Sequence, residues 1–204
     1  MIEKETAYFS MEQIWRSGQC FRMVPEGENT FAIIAADRYL KAEQKGEQCR
    51  FYCSEEEFEN FWKEYFDLEG DYEGSISRIN PNDTYLTKAA QFGSGIRILK
   101  QDLWEMIVSF LISQQNNITR IKKCIENISR EFGVRKTSST GAEYYAFPTA
   151  EALALATEEQ LRECNLGYRA KYVLDTARKV CFGDISLNSL YDLSLIHISE
   201  PTRH

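Results

Sequence analysis

The chain has 204 residues, of which 43% are hydrophobic and 27% are charged, a composition that is ordinary for a soluble globular protein. No apolar run is long enough to span a bilayer, and the polar start Met1–Glu5 excludes a secretory signal, so we expect a cytoplasmic protein. The six cysteines are scattered without a CxxC pair, which predicts reduced thiols rather than disulfides or a zinc site, and we expect no metal and no cofactor.

The net charge of −7 argues at first against a nucleic-acid partner, but the charges are unevenly distributed. Residues 1–100 hold 12 basic side chains against 18 acidic ones, whereas residues 101–192 hold 11 against 12. Local charge determines the field that a phosphate group experiences. The overall acidity therefore neither supports nor excludes a DNA partner.

The first part of the chain predicts strands followed by a helix. The segments Thr30–Ala36, Arg38–Gln44 and Cys49–Cys53 are short strand candidates separated by turns, and their close succession predicts an antiparallel meander. Ser54–Leu68 begins with S-E-E-E, the spacing of a capping box, and continues as an amphipathic helix. We expect its aromatic side chains to pack against the sheet: Phe58, Phe61, Trp62, Tyr65 and Phe66.

From Tyr72 onward the pattern is helical, which predicts an all-α second domain and an α+β protein overall. The helix Leu103–Ser113 is apolar almost all round, which predicts a buried core helix. We interpret Lys136–Glu143 as a loop rich in Ser, Thr and Gly. The other predicted helices are Asn117–Phe132, Phe147–Leu155, Thr157–Cys164 and Arg169–Phe182.

The last twelve residues, Leu193–His204, read as one translation frame of a transposon adapter used in sequencing libraries. We expect the natural sequence to end near Asp192; the alternative is a genuine tail in which Leu193–Ile198 forms a short edge strand. Both histidines, His197 and His204, lie in this tail. The natural portion then excludes Ser–His and Cys–His nucleophiles and histidine-bound metals.

Two short polar corners interrupt the helical half, and they indicate chemistry on DNA. Gln114–Asn117 presents four amides and is followed by Arg120, and Gly167–Arg169 joins an aromatic ring to a guanidinium group. An enzyme that flips a base out of the duplex has to fill the vacated space and bind the abandoned partner base. Amides, aromatic rings and guanidinium groups suit these tasks. Considered alone, the first corner would be a helix–turn–helix junction with Asn117 as the N-cap, and it is Arg120 and the second corner that argue against this alternative.

At these residues the chain resembles the 8-oxoguanine DNA glycosylases of the helix-hairpin-helix superfamily. The segments SQQNNITRI, FPTAEALA and LGYRAKYV, with GQCFR from Gly18, carry a resemblance that covers residues 5–192. It implies a TATA-binding-protein-like antiparallel sheet domain over residues 1–98, an incomplete helix-hairpin-helix glycosylase domain over 99–192, and an artefactual tail over 193–204. It also implies a base-excision repair enzyme, a glycosylase and AP lyase, that removes 8-oxoguanine from duplex DNA as a monomer without membrane contact.

The resemblance assigns roles to two groups of residues. Gly18 would offer its main chain to the proton that oxidation places on N7 of the flipped base. The damaged-base group is Gly18, Gln19 and Phe21. Asn116 and Gln115 would enter the vacated stack, Arg120 and Arg169 would bind the orphaned cytosine, and Tyr168 would wedge beside it and bend the duplex. The DNA-binding group is Gln115, Asn116, Asn117, Arg120, Tyr168 and Arg169.

The catalytic elements of this family are a glycine-rich hairpin, a lysine nucleophile and an aspartate, and we expect them beyond Asp192. We therefore name no catalytic residue in this chain and expect it to be inactive and to aggregate, because the helix Leu103–Ser113 loses part of its cover. Two other functions stay open: an alkylated-base (3-methyladenine) glycosylase on the same fold, and a non-catalytic module that binds damaged DNA. A third alternative is an unrelated helical protein whose corners only cap helices.

Overall fold

The computed structural model describes residues 1–191, and it confirms the α+β class. The prediction of an adapter-derived tail over 193–204, with both histidines, lies outside the described residues. The chain divides into two compact units. Among the described residues, the sheet unit consists of residues 1–102 and 134–146, and the helical unit consists of residues 103–133 and 147–191.

A five-stranded antiparallel sheet with strand order β1-β5-β4-β3-β2 forms the centre of the sheet unit. Its three middle strands are those of the predicted meander, which the structure confirms. The two outer strands were not predicted from the pattern. The strands are β1 Ile2–Glu5, β2 Met23–Gly27, β3 Thr30–Ala35, β4 Arg38–Lys45 and β5 Gln48–Phe51.

The aromatic helix predicted after the sheet is present and contains a π turn. The Ser54 side chain accepts a hydrogen bond from the Glu57 N–H and caps the helix. The Glu57 carboxylate accepts a hydrogen bond of 2.9 Å from the Trp62 indole N–H. The helical pieces of this unit are α1 Met11–Ser17, α2 Glu55–Glu57, the π turn Phe58–Trp62, α3 Lys63–Tyr65, α4 Tyr72–Ser77 and α5 Thr84–Phe92.

Aromatic side chains fill the core of the sheet unit, as predicted. Trp62 and Phe66 are completely buried with ring centroids 6.0 Å apart, and Phe51 from β5 lies 5.0 Å from Phe58. Phe61 is only partly buried, and it packs against the margin of the same core. Large rings that interlock in this way contribute more to stability than their buried area alone provides.

Short helices joined by tight turns build the helical unit. Asn117, Thr149 and Thr157 each accept a backbone N–H as the N-cap, and Thr157 forms a capping box with Gln160. The helices are α6 Leu103–Ser113, α7 Ile118–Phe132, α8 Ala150–Ala154, α9 Glu158–Leu161, the π turn Arg162–Leu166, α10 Arg169–Cys181 and α11 Leu187–Tyr191. Among the described residues no helix is long and apolar enough to cross a membrane.

The loop predicted over Lys136–Glu143 holds for residues 138–142, but its two ends are strands. β6 Arg135–Thr137 pairs with β7 Glu143–Tyr145, and this hairpin belongs to the sheet unit. The Lys136 Nζ lies 2.7 Å from the Asp37 carboxylate, which lowers the pKa of that carboxyl group. The strands were not predicted because the segment is polar and because its ion pair partner, Asp37, is distant in the sequence.

The α6 helix is less buried than its sequence predicts. Val108 and Ile112 are fully buried, but Met106 is 42% and Phe110 is 66% exposed. An almost continuously apolar sequence cannot reveal which side of the helix is covered, because it lacks the polar stripe that normally marks the solvent face.

Candidate nucleic-acid interface

The first polar corner joins α6 to α7 and is shaped by its own amides. Gln115 adopts a φ of +49°, a left-handed conformation that is uncommon for residues other than glycine. The Asn116 amide donates to the Ile112 carbonyl at 3.0 Å, and the Asn117 side-chain oxygen accepts the Arg120 N–H at 2.9 Å. Asn117 is therefore the N-cap of α7, the role that the helix-junction alternative gives it, whereas the Gln115 side chain is exposed.

The second corner lies between the π turn and α10 and contains two residues with positive φ. Asn165 has φ +68° and ψ 16°, so the helix ends there, and Gly167 has φ +60° and ψ −132°. The latter conformation is accessible to glycine and strained for any residue with a Cβ atom. This backbone course places Tyr168 and Arg169 at the start of α10.

Arg169 joins the two corners through its guanidinium group. Its Nε and Nη2 donate to the Gln114 carbonyl at 2.8 and 2.5 Å, and Nη2 also donates to the Gln115 carbonyl at 2.8 Å. Only 4% of Arg169 is exposed. Arg169 therefore holds the first corner in place. The sequence predicted only that Arg169 contacts DNA, and it did not predict this internal role.

Tyr168 lies at the surface of the same junction. Its hydroxyl lies 3.5 Å from the Gln114 carbonyl and 3.4 Å from the Gln115 side-chain oxygen, and the residue is 49% exposed. The Arg169 guanidinium carbon lies 4.6 Å from the centroid of the Tyr168 ring. The Tyr168 ring is therefore half-exposed on one side and packs on a buried cation on the other, which restricts its orientation.

Arg120 is exposed and lies against the second corner. Its Nη2 lies 3.5 Å from the Asn165 carbonyl, which also accepts a hydrogen bond of 3.3 Å from the Cys124 thiol. One turn further along α7, the Asn127 amide donates to the Cys164 carbonyl at 3.3 Å. The structure therefore brings the two predicted corners together, with Gln115, Arg120, Tyr168 and Arg169 at their junction.

The predicted damaged-base residues lie in the sheet unit, just after α1. Gly18 ends α1 with a φ of +75°, and Phe21 is half-buried. The Gln19 amide is fully engaged: it donates to the Arg97 carbonyl at 2.9 Å and accepts the Leu99 N–H at 3.0 Å. Gln19 therefore holds the segment that follows α5 in place.

Three residues of the junction were missed from the sequence: Cys124, Asn127 and Asn165. The spacing of Arg120, Cys124 and Asn127, by four and then three residues, puts them on one face of a helix, and this was the available signal. That they meet the carbonyl groups of a distant corner could not be read from the sequence. Within residues 1–191, no cluster of His, Cys, Asp and Glu side chains could hold a metal ion.

Comparison with known families agrees with this architecture. Residues 1–107 match the family described as "8-oxoguanine DNA glycosylase, N-terminal domain", and residues 108–201 match the "HhH-GPD superfamily base excision DNA repair protein" family. The chain belongs to the 8-oxoguanine DNA glycosylase family of the helix-hairpin-helix superfamily. The second match extends into the terminal segment, whose adapter origin stays a prediction.

Individual relatives agree with this assignment. An N-glycosylase/DNA lyase of Saccharomyces cerevisiae is 31% identical over 83% of this chain and 49% of its own length. The apo structure of the Clostridium acetobutylicum 8-oxoguanine glycosylase/lyase is similar with a TM-score of 0.88 and 39% identity, over 94% of this chain and 67% of that one. The same enzyme bound to double-stranded DNA with cytosine opposite 8-oxoguanine gives a TM-score of 0.86 at 39% identity, over 95% and 69%. The chain spans about half the length of the curated relatives it matches.

Proposed function

We propose that this chain is the base-recognising part of a DNA glycosylase and AP lyase that flips 8-oxoguanine out of duplex DNA and removes it. The proposal is supported above all by the junction in which Arg169 clamps Gln114 and Gln115 while Tyr168 stays half exposed. Two polar corners that are far apart in sequence would have no need to meet around a buried cation if each only capped a helix.

In this proposal the guanidinium groups bind the cytosine that is left behind. Arg120 is exposed, and guanidinium donors suit the acceptors of an unpaired cytosine edge. Arg169 uses Nε and Nη2 to hold the first corner, and within the described part of the chain no residue accepts a hydrogen bond from its Nη1. Arg169 would then serve both the corner and the cytosine, with different nitrogen atoms.

The amides and the tyrosine would deal with the space that the flipped base leaves. Gln115 is exposed at the tip of the corner, and Asn116, which is held by the Ile112 carbonyl, sits beside it with Asn117 as the cap of α7. Tyr168 would stack beside the cytosine and bend the duplex, exchanging unstacking energy for additional protein contact. The flipped base would contact the main chain of Gly18 and the neighbouring Gln19 and Phe21. A cytoplasmic location and a monomeric state stay predictions.

A binding experiment tests the choice of lesion. Fluorescence anisotropy of the 204-residue chain with labelled duplexes at one fixed salt concentration should show at least about tenfold tighter binding to 8-oxoguanine opposite cytosine than to guanine opposite cytosine. A duplex that contains 3-methyladenine is the control for the alkylated-base alternative. Equal affinity for the damaged and the undamaged duplex would refute the proposal, and preference for 3-methyladenine would replace it with the alternative.

Borohydride trapping tests whether the chain contains the lyase chemistry. A lysine amine that attacks the sugar forms a Schiff base, which borohydride reduces to a stable covalent adduct. We expect this chain to bind the 8-oxoguanine duplex but to give no adduct, because none of its lysines matches the nucleophile of the family that it resembles. A trapped adduct identified by peptide mapping would show that the nucleophile is present in the chain after all.

A further inference from the structure

Asn165 occupies a special position in the helical unit, because one carbonyl group there receives two side chains from α7. The residue adopts φ +68° and ψ 16°, which interrupts the helical run and turns its carbonyl toward α7. The Cys124 thiol donates to this oxygen at 3.3 Å, and the Arg120 Nη2 lies 3.5 Å from it. The Asn165 side chain itself is exposed and forms no hydrogen bond with a described residue.

Further observations show that the Arg120 guanidinium lies against this corner and that the corner is anchored to α7. A Cβ atom built on Gly167 would lie 3.9 Å from the Arg120 Nη2, so the guanidinium is seated against the corner. The Asn127 amide bonds the preceding carbonyl, that of Cys164, at 3.3 Å, which fixes the corner from a second point. Burial raises the pKa of the Cys124 thiol, so the thiol stays protonated and able to donate.

We infer that Asn165 is a positioning residue, whose left-handed backbone presents a carbonyl that holds Arg120 ready for the base opposite the lesion. The inference rests on the proposed function, because it assigns Arg120 a role in reading that base. A long exposed arginine loses rotamer freedom when it binds, and this loss is smaller if the side chain is already held in place. Cys124 anchors the carbonyl, and Asn165 supplies the backbone conformation that aims it.

Substitutions at Asn165 test the inference without changing the core. Valine strongly disfavours a positive φ, whereas glycine adopts it freely and keeps the same carbonyl group. We expect Asn165→Val to weaken binding to 8-oxoguanine opposite cytosine by roughly twofold to tenfold, the range for ordering one side chain. Asn165→Gly should restore the affinity to within about twofold, since the inference requires the backbone and not the amide.

Two readouts separate positioning from a general loss of stability. Asn165→Val should reduce the preference for cytosine over adenine opposite 8-oxoguanine, because Arg120 reads that base. In an Arg120→Ala background the effect of Asn165→Val should largely disappear, as expected for residues that act through one another. A parallel pair, Cys124→Ser and Cys124→Ala, keeps or removes the donor to the carbonyl, with Cys181→Ala on the exposed α10 cysteine as the control.

Each outcome decides the matter. If Asn165→Val keeps the cytosine preference, or weakens binding equally with and without Arg120, the inference is wrong while the proposed function stands. If Asn165→Gly loses affinity as much as Asn165→Val, the side chain matters and the backbone argument fails. If the unsubstituted chain shows no preference for the damaged duplex, both the proposed function and this inference fall together.

Discussion

Replacing Arg169 with alanine should lower the free energy of unfolding by about 2–4 kcal/mol and also weaken duplex binding by about 1–3 kcal/mol. The stability effect arises because two backbone carbonyls, of Gln114 and Gln115, lose a buried charged donor at 2.5–2.8 Å. The binding effect arises because the first corner would no longer hold its amides in place. Urea denaturation followed by circular dichroism measures the first effect, and fluorescence anisotropy with the 8-oxoguanine duplex measures the second.

Arg120→Ala is the matched control, because it removes the same kind of side chain from the same junction. Arg120 is exposed and its Nη2 lies 3.5 Å from the Asn165 carbonyl, so its loss should change the free energy of unfolding by less than about 0.5 kcal/mol. Duplex binding should still fall by about 1–3 kcal/mol. If the two variants lose equal stability, Arg169 is not the clamp that its hydrogen bonds indicate.

Trp62→Ala should destabilise the sheet unit by about 3–5 kcal/mol, the largest effect of any single substitution considered. Trp62 is completely buried, and its ring centroid lies 5.4 Å from that of Tyr65 and 6.0 Å from that of Phe66. Removal of the indole opens a cavity in this cluster and leaves the Glu57 carboxylate without its indole donor. Urea denaturation followed by circular dichroism should show a large fall in the midpoint, unless the variant fails to fold at all.

Two further substitutions serve as comparisons for Trp62→Ala, in case that variant does not fold. Trp62→Phe preserves an aromatic ring but removes the N–H group, so we expect an intermediate loss of stability. Phe92→Ala removes an aromatic side chain that is 82% exposed in the same unit, and its effect should stay within about 0.5 kcal/mol. A Phe92→Ala effect as large as that of Trp62→Ala would show that Phe92 is covered in solution.

The sequence was most informative where local chemistry alone determines the structure. The strands β3 to β5 were predicted from short runs bounded by turns, and Asn117 and Thr157 cap helices that were predicted to begin at these residues. Such caps are predicted correctly because the capping side chain and the backbone N–H that it accepts lie within four residues. The α+β class and the two polar corners follow from these short-range signals.

The outer strands were missed because they lack an apolar face. Only one residue of β1, Ile2, is even partly buried, and β2 contains Pro25 and Gly27 at a register shift. Edge strands tolerate proline and polar residues, since one of their sides needs no partner. The β6–β7 hairpin was missed for a related reason: its ion pair joins Lys136 to Asp37, which is remote in sequence.

The two corners were identified from the sequence, but the hydrogen bonds that join them were not. Arg169 was expected to face DNA, yet it is buried because the carbonyls of Gln114 and Gln115 lie beside it in the folded chain. A guanidinium group has the same appearance in a sequence whether it binds a base or a backbone carbonyl. The roles of Cys124 and Asn165 depend likewise on a tertiary contact between α7 and the second corner.

The discontinuous composition of the sheet unit has a consequence for how the chain is made. The unit ends with residues 134–146, which leave the ribosome only after α6 and α7 of the helical unit. One acceptor of Arg22, the Tyr145 carbonyl, is therefore synthesised only after the first two helices of the other unit. The two halves consequently mature in an interleaved order during translation, and no single cut in the polypeptide would release either of them whole.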